Sequence, residues 1–284
     1  DDRADATTFF AYSNCTNHGP RLVASAPSTS CSSGAVGVSA GVAGLMYSAV
    51  KTAVQAGTLQ LPLSGNEAYQ VMGQSYDDVD FVHQDDHPDL YPSWPGWDRY
   101  TGYGRLNAKK VVDTVLDGDI PPEADLLTPT WFEVISPANG LFDVVGMAAA
   151  DRSTGYTWEL QIAAGSDPRE EGFQTVATGE GISPTTGVLH QLDLSAVPVD
   201  PDAVLEPIYP SDHNVSKEEK AFAHGATIRL QVRDADGRLG EMRKLLYIQT
   251  DPDALPGYPR RGSIGGIDGS PTLVDVDGDG QDDV

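Results

Sequence analysis

Four aspartates near the end of the chain have the residue type and spacing that hold a hard cation. Asp275, Asp277, Asp279 and Asp283 occupy positions 1, 3, 5 and 9 of a loop, Gly278 and Gly280 stand between them, and the Gln281 carbonyl falls at position 7. Calcium takes about six to eight oxygens in a tolerant shell, so this spacing wraps carboxylates around one point while a glycine allows the sharp turn. Magnesium demands a tighter octahedron and suits the set less well. The competing reading is a solvated acidic turn. Position 12, where a bidentate glutamate commonly completes such a loop, lies beyond Val284.

Other reactive side chains are sparser. Cys15 and Cys31 are the two cysteines, without CxxC spacing or metal-type ligands beside them. They read as a disulfide, which would stabilise the fold by about 3 kcal/mol on the chain-entropy estimate and imply an oxidising, extracytoplasmic setting. The alternative is a pair of buried, reduced thiols. His83 and His87 flank Asp85 and Asp86, which can be drawn as a metal site or as a solvated loop in a very acidic chain. His18 stands beside a Gly-Pro pair and reads as a surface residue, and the sequons at Asn14 and Asn214 are chance-level patterns unless the source glycosylates.

The elements that must position these groups follow from pattern. The chain has 284 residues, room for about two domains, and 30 Gly with 20 Pro favour turns over long helices. Forty-two acids against 18 bases give a formal charge of −24. That charge repels phosphate backbones and anionic lipids, so nucleic acid and membrane surfaces are excluded as partners. No apolar run approaches the roughly 18 residues of a membrane span. From Ser39 to about Gly57, Val42, Met46, Ala49, Ala53 and Val54 recur at helical spacing beside small residues, which predicts a tightly packed helix. Ser64 with Glu67 forms a capping box for a second helix, and Asn107 caps a third. The stretch DGDIPPEADLLTPT then reads as a linker, and beyond it come seven alternating runs: WFEVI, LFDVVGMAA, YTWELQIAA, FQTVAT, VLHQLDL, ATIRLQV and KLLYIQT. They predict a β-sandwich able to fold without the N-terminal part. Trp94 and Trp97, in the aromatic stretch YPSWPGWDRY, are expected to pack on the domain surface.

Two resemblances add to this. SNCTNHGPRLVASAPS, then AGVAGLM, then GWDRYTGYGRLNAKKVV is similar in order and spacing to the C-terminal half of the subtilisin-like serine peptidases (subtilases). Ser13, Asn14 and Gly19 match the family's S-N-x-G element with an insertion; Val23, Ala26 and Pro27 match V-x-x-A-P. Gly102, Gly104, Arg105, Asn107 and Ala108 match the G-x-G-R-v-n-A that opens a late helix. Laying Val42, Ala43 and Gly44 on the V-A-G of G-T-S-M-A-x-P-H-V-A-G puts Gly34 on the first glycine, Ala35 on the threonine and Val36 on the nucleophilic serine, with Gly41 on the histidine. Valine has no lone pair for acyl transfer. Ser33 and Ser39 are the nearby hydroxyls: Ser39 lies about a turn into the helix, Ser33 needs a three-residue slip, and Ser32 or Ser33 reads more simply as a helix cap. The family's Asp, His and oxyanion Asn would fall upstream of Asp1, so the resemblance implies a partial domain. The last 20 or so residues, GSPTLVDVDGDGQDDV, resemble the opening of an FG-GAP or VCBS-type repeat, a blade unit of calcium-binding β-propellers.

Together these readings predict a partial α/β subtilase-like domain over 1–118, a linker over 119–127 and an all-β sandwich of immunoglobulin or fibronectin-III type over 128–250. A second linker over 251–262 and the start of a propeller-type calcium repeat over 263–284 follow. The function they imply is that of a secreted or cell-surface subtilisin-like serine endopeptidase, degenerate at Val36. The alternative is a non-catalytic extracellular adhesion protein, calcium-dependent and bound to a protein or polysaccharide. Enzyme status stays open, with peptides as substrates if the chain is active.

Overall fold

The computed structural model describes residues 17, 19–28, 32–79, 93–199 and 224–250. Two compact units divide the chain, Asp1–Thr250 and Asp251–Val284, and the second lies wholly outside the described residues. The first mixes helix with several largely antiparallel sheets, each an open sheet and none a closed barrel or propeller.

Three helices form one layer: α1 (Ser32–Ala56), α2 (Gly65–Gln74) and α3 (Ala108–Asp117). Helix α1 buries Val42, Met46, Ala49, Val50 and Ala53, a stripe at the expected spacing. It starts about two turns earlier than the pattern suggested, because Ser32–Val38 is small and exposed on most sides and shows no apolar period. Helix α2 opens with the expected reciprocal cap: Ser64 Oγ accepts from Glu67 N at 2.9 Å and Glu67 Oε2 accepts from Ser64 N at 2.8 Å. Asn107 caps α3 by accepting from Lys109 N and Lys110 N. Val71, Val111, Val115 and Ile120 close the shared core of this layer. A two-stranded ribbon, β1 (Tyr76–Asp77) with β2 (Arg105–Leu106), lies between α2 and α3 in the chain.

Eight further strands follow. They are β3 (Glu123–Thr128), β4 (Glu133–Ile135), β5 (Leu141–Ala149), β6 (Tyr156–Ala164), β7 (Gln174–Gly181), β8 (Thr185–Asp193), β9 (Gly225–Asp234) and β10 (Leu239–Ile248). One sheet runs β4-β10-β9-β6-β7 and the other β3-β5-β8. Pairing is antiparallel except where β4 joins β10 in parallel. Each of the seven alternating runs forms a strand. Trp158, Leu160 and Ile162 on β6 and Ile228, Leu230 and Val232 on β9 share one core with Ala124, Val144, Ala148 and Leu192 of the smaller sheet.

The segment 119–127 is not a linker. Its second half is β3, which pairs with β5 and inserts Ala124 and Leu126 into the core. Pro121, Pro122 and the acids disguised a strand with only two inward apolar residues. Its edge is closed by side-chain amides of α2. Asn66 Oδ1 accepts from Ala124 N at 3.1 Å, and Asn66 Nδ2 and Gln70 Nε2 each donate to Ala124 O at 3.1 Å. Gln70 Oε1 also accepts from Glu241 N on β10 at 2.9 Å, so one buried side chain ties the helices to both sheets.

Candidate functional site

Two of the segments that carried the peptidase resemblance, around Val23–Ser25 and Gly102–Leu106, meet beside α3, while Ser13 lies outside the described residues. Tyr103 N donates to Val23 O at 2.8 Å, Ser25 N to Gly104 O at 2.9 Å and Leu106 N to Ser25 O at 2.9 Å, so the segment around Val23–Ser25 is zipped to the turn leading into the helix. Two glycines make the approach possible. A Cβ at Gly102 (φ 67°) would lie 2.4 Å from Val23 O, and one at Gly104 (φ 120°) 2.3 Å from Asp77 O, both far inside contact distance and in backbone conformations that suit glycine. Asp77 accepts from the residues that lead into and open α3: from Asn107 Nδ2 at 3.0 Å, Lys110 Nζ at 2.9 Å and Arg105 Nη2 at 3.5 Å. Burial pushes its carboxyl up, but the hydrogen bonds from Lys110 and Asn107 with the lysine charge outweigh that and hold it below the usual value.

On α1, Val36 is 67% exposed, Ser33 is exposed and Ser39 half-buried. From Ser32 to Val50 no residue is charged, and Val38, Leu45 and Tyr47 join Val36 as exposed large apolar side chains. Among the described residues, α1 alone is long and apolar enough, by length and composition, to cross a membrane, although no such run was expected. A core helix of a soluble protein passes the same test, and the inner face of α1 packs into the helical layer. The described histidines, His190 and His224, belong to β8 and to the residue before β9, so Val36, Ser33 and Ser39 are not brought together with a described imidazole on the helices. Cys15, Cys31, His18, His83, Asp85, Asp86, His87, Asn14, Asn214 and the loop Asp275, Asp277, Asp279, Gln281 and Asp283 lie outside the described residues. Among the described residues no group of three or more His, Cys, Asp or Glu is placed to hold a metal ion.

A second constellation was missed in the sequence. Thr227, Arg229, Glu241 and Arg243 project from the face of the larger sheet opposite its core, yet all are buried. Glu241 accepts from Tyr103 Oη, from Arg243 Nη2 at 2.7 Å and from Gln231 Nε2 at 2.7 Å. Arg229 makes a forked pair with Glu170 at 2.6 and 3.0 Å. The Arg229 guanidinium lies 3.7 Å from the Phe173 ring centre, and that of Arg243 lies 4.5 Å from Trp97. Burial raises the Glu241 carboxyl, but the Arg243 and Arg229 charges more than reverse this and it stays ionised; burial, then the Glu241 charge, push the Tyr103 phenol well up. The signal was ordinary strand alternation, Thr227-Arg229-Gln231 and Glu241-Arg243, which reads as a solvent face because nothing local reveals that helices and the Trp94–Thr101 turn cover it.

That turn is organised by Asp98, itself fully buried. Oδ1 accepts from Tyr100 N and Thr101 N at 2.7 Å each, and Oδ2 from Thr101 Oγ1 at 2.7 Å and Trp94 N at 3.3 Å. Trp97 is buried with Nε1 donating to Leu22 O at 2.8 Å, while Trp94 stacks 3.7 Å from the Arg169 guanidinium. A shallow crevice with little enclosed space lies between α2 and the β5–β6 turn, lined by Glu67, Glu123, Asp151, Arg152 and Ser153. Arg152 fills its mouth by a forked pair with Glu67 at 2.5 and 2.8 Å.

No family model matches this chain, and a search of curated proteins gives no match. Among solved structures, CopC from Methylosinus trichosporium OB3b aligns over 45% of this chain and 94% of its own, with 9% identity and a TM-score of 0.20. At that score the likeness is too slight to place the chain in a fold family.

Proposed function

We propose that this chain carries the later part of a subtilisin-like serine peptidase domain that has lost its nucleophile. A sandwich of immunoglobulin or fibronectin-III type and the first part of an FG-GAP or VCBS-like calcium repeat follow, in a secreted or cell-surface protein. The observation that carries this reading is the junction of Val23–Ser25 with Gly102–Leu106: two motif-like segments far apart in sequence lie side by side, with glycines where side chains would collide, at the mouth of a capped helix. The glycine-bearing stretch of α1 from Ser32 to Val50, without a charged residue, supports it too. At the position that the resemblance gives to the nucleophile, Val36 faces outward on the second turn, displayed as a reacting group would be but lacking a lone pair. Two sheets sharing one core support the sandwich. The donor set of Asp275, Asp277, Asp279, Asp283 and the Gln281 carbonyl suits calcium, which would order a loop whose carboxylates repel one another.

A serine-directed phosphonate and a casein-type substrate test the catalytic part. The expected result is neither labelling nor hydrolysis; labelling abolished by Ser33→Ala or Ser39→Ala overturns the loss of the nucleophile. Exposure of Val36 on a stretch without charge from Ser32 to Val50 also favours the non-catalytic binding role over residual proteolysis. Calorimetric calcium titration tests that role's cation: Asp277→Ala should remove binding, and unchanged binding would refute the loop.

A further inference from the structure

The four bonds received by Asp98 divide two and two between its oxygens but differ in kind, and that difference makes one of them expendable. Both acceptor bonds on Oδ1 come from backbone amides of the tight turn, Tyr100 N and Thr101 N. On Oδ2 the donors are the Thr101 hydroxyl and, at 3.3 Å, Trp94 N. The Thr101 hydroxyl has a second acceptor within reach, Gly102 O at 3.5 Å. All four donors are uncharged, and the carboxylate has no exposure to water.

We propose that Asp98 is an acid-operated latch on Trp94. A proton arriving on Oδ2 turns that oxygen into a donor toward Thr101 Oγ1, whose own hydrogen swings to Gly102 O. The Oδ1 bonds persist, so the Asp98–Gly102 turn stays closed, and Trp94 N alone, whose bond is the longest of the four at 3.3 Å, is left on a hydroxyl oxygen that accepts far more weakly than a carboxylate. Trp94 is the residue whose indole stacks on Arg169 in the β6–β7 loop, so weakening of its amide bond loosens the contact between that loop and the turn.

The charged groups around the latch come from each neighbouring element. Arg99 follows Asp98 in the turn, Arg243 on β10 lies against Trp97, and Arg169 and Asp167 sit on the β6–β7 loop, Asp167 accepting from the Arg99 backbone. Asp78, just after β1, accepts from Gly96 N at 2.7 Å. The three arginines favour the carboxylate and the two acids oppose it. Burial is the largest influence and pushes the Asp98 carboxyl up to about 6, the four hydrogen bonds acting against it.

Asp98→Asn mimics the protonated state, since the amide Oδ1 keeps both backbone donors while Nδ2 donates to Thr101 Oγ1. In amide NMR of the full chain, the Trp94 N–H resonance should titrate with a midpoint near 6, while Tyr100 and Thr101 amides remain protected from exchange. In the Asp98→Asn protein the Trp94 resonance should sit at its acid position throughout. Loss of the latch predicts at least tenfold faster Trp94 amide exchange at neutral pH in that variant. A Trp94 amide that titrates equally in Asp98→Asn, or that does not titrate in wild type, overturns the proposal. Thermal melts of both proteins establish that the variant is folded, and Asp98→Glu, which keeps the charge but misplaces it, should not reproduce the acid position.

Discussion

Asp98 and Glu241 are both buried acids, and their surroundings move them in opposite directions. Asp98 meets only neutral donors and is raised to about 6 from an ordinary 3.8. Because its folded pKa exceeds the unfolded value, the fold carries the cost of the charge above pH 6 and sheds it as pH falls toward 3.8. Wild type should therefore gain about 2 kcal/mol relative to Asp98→Asn between pH 7.5 and 4.5, read from urea unfolding at the two pH values. Glu241 faces two guanidinium groups and remains ionised. Glu241→Gln leaves Arg243 buried without its counter-charge, and an unpaired buried charge costs about 3–5 kcal/mol. Equilibrium unfolding checks this; a loss below about 1 kcal/mol would mean that water reaches Arg243 from the seam.

At the scale of elements, the caps were legible because their chemistry is local. Ser64 with Glu67 and Asn107 occupy short motifs whose partners sit within three residues. Asn107→Ala should destabilise the protein by about 1–2 kcal/mol in the same assay, since it strips two amides of an acceptor and Asp77 of a donor. The strands of the seven alternating runs were legible for a similar reason: alternation needs no knowledge of the partner. Strand β3 was not, because Pro121 and Pro122 precede it and only Ala124 and Leu126 point inward; its existence depends on β5 and on the amides of α2. The early start of α1 escaped because glycine and serine carry no period. Of the candidate site, Val36 and the glycine pair were readable from motif spacing, whereas the buried charges of Arg229, Glu241 and Arg243 were invisible, since Glu241 is met by Gln70 and Tyr103 more than a hundred residues away and Arg229 by Glu170 and Phe173 on the β6–β7 loop.

For the whole molecule, the two-sheet part and the helical layer share a boundary that a cut at residue 128 would damage. Residues 128–250 lack β3, leaving the smaller sheet with two strands and removing Ala124 and Leu126 from the core. That fragment is expected to show no cooperative thermal transition. Residues 119–250 restore the strand but expose Arg229, Glu241 and Arg243 to water. They should melt cooperatively at a lower temperature than the full chain, as followed by circular dichroism. Equal behaviour of the two fragments would show that β3 adds nothing.

The clasp of Asn66 and Gln70 on β3 also decides how this protein goes wrong. A strand edge with free N–H and C=O groups is a template for any other chain, and here the side-chain amides that guard that edge at Ala124 come from a ten-residue helix. If α2 lifts away before the sheets melt, the first species to appear on heating is a nearly intact sandwich with an open rim. Loss by precipitation should then begin below the temperature at which the sheets unfold and should steepen with protein concentration. Asn66→Ala, which unfastens the guard without touching the core, should bring that onset down further, as light scattering during a slow thermal ramp would record.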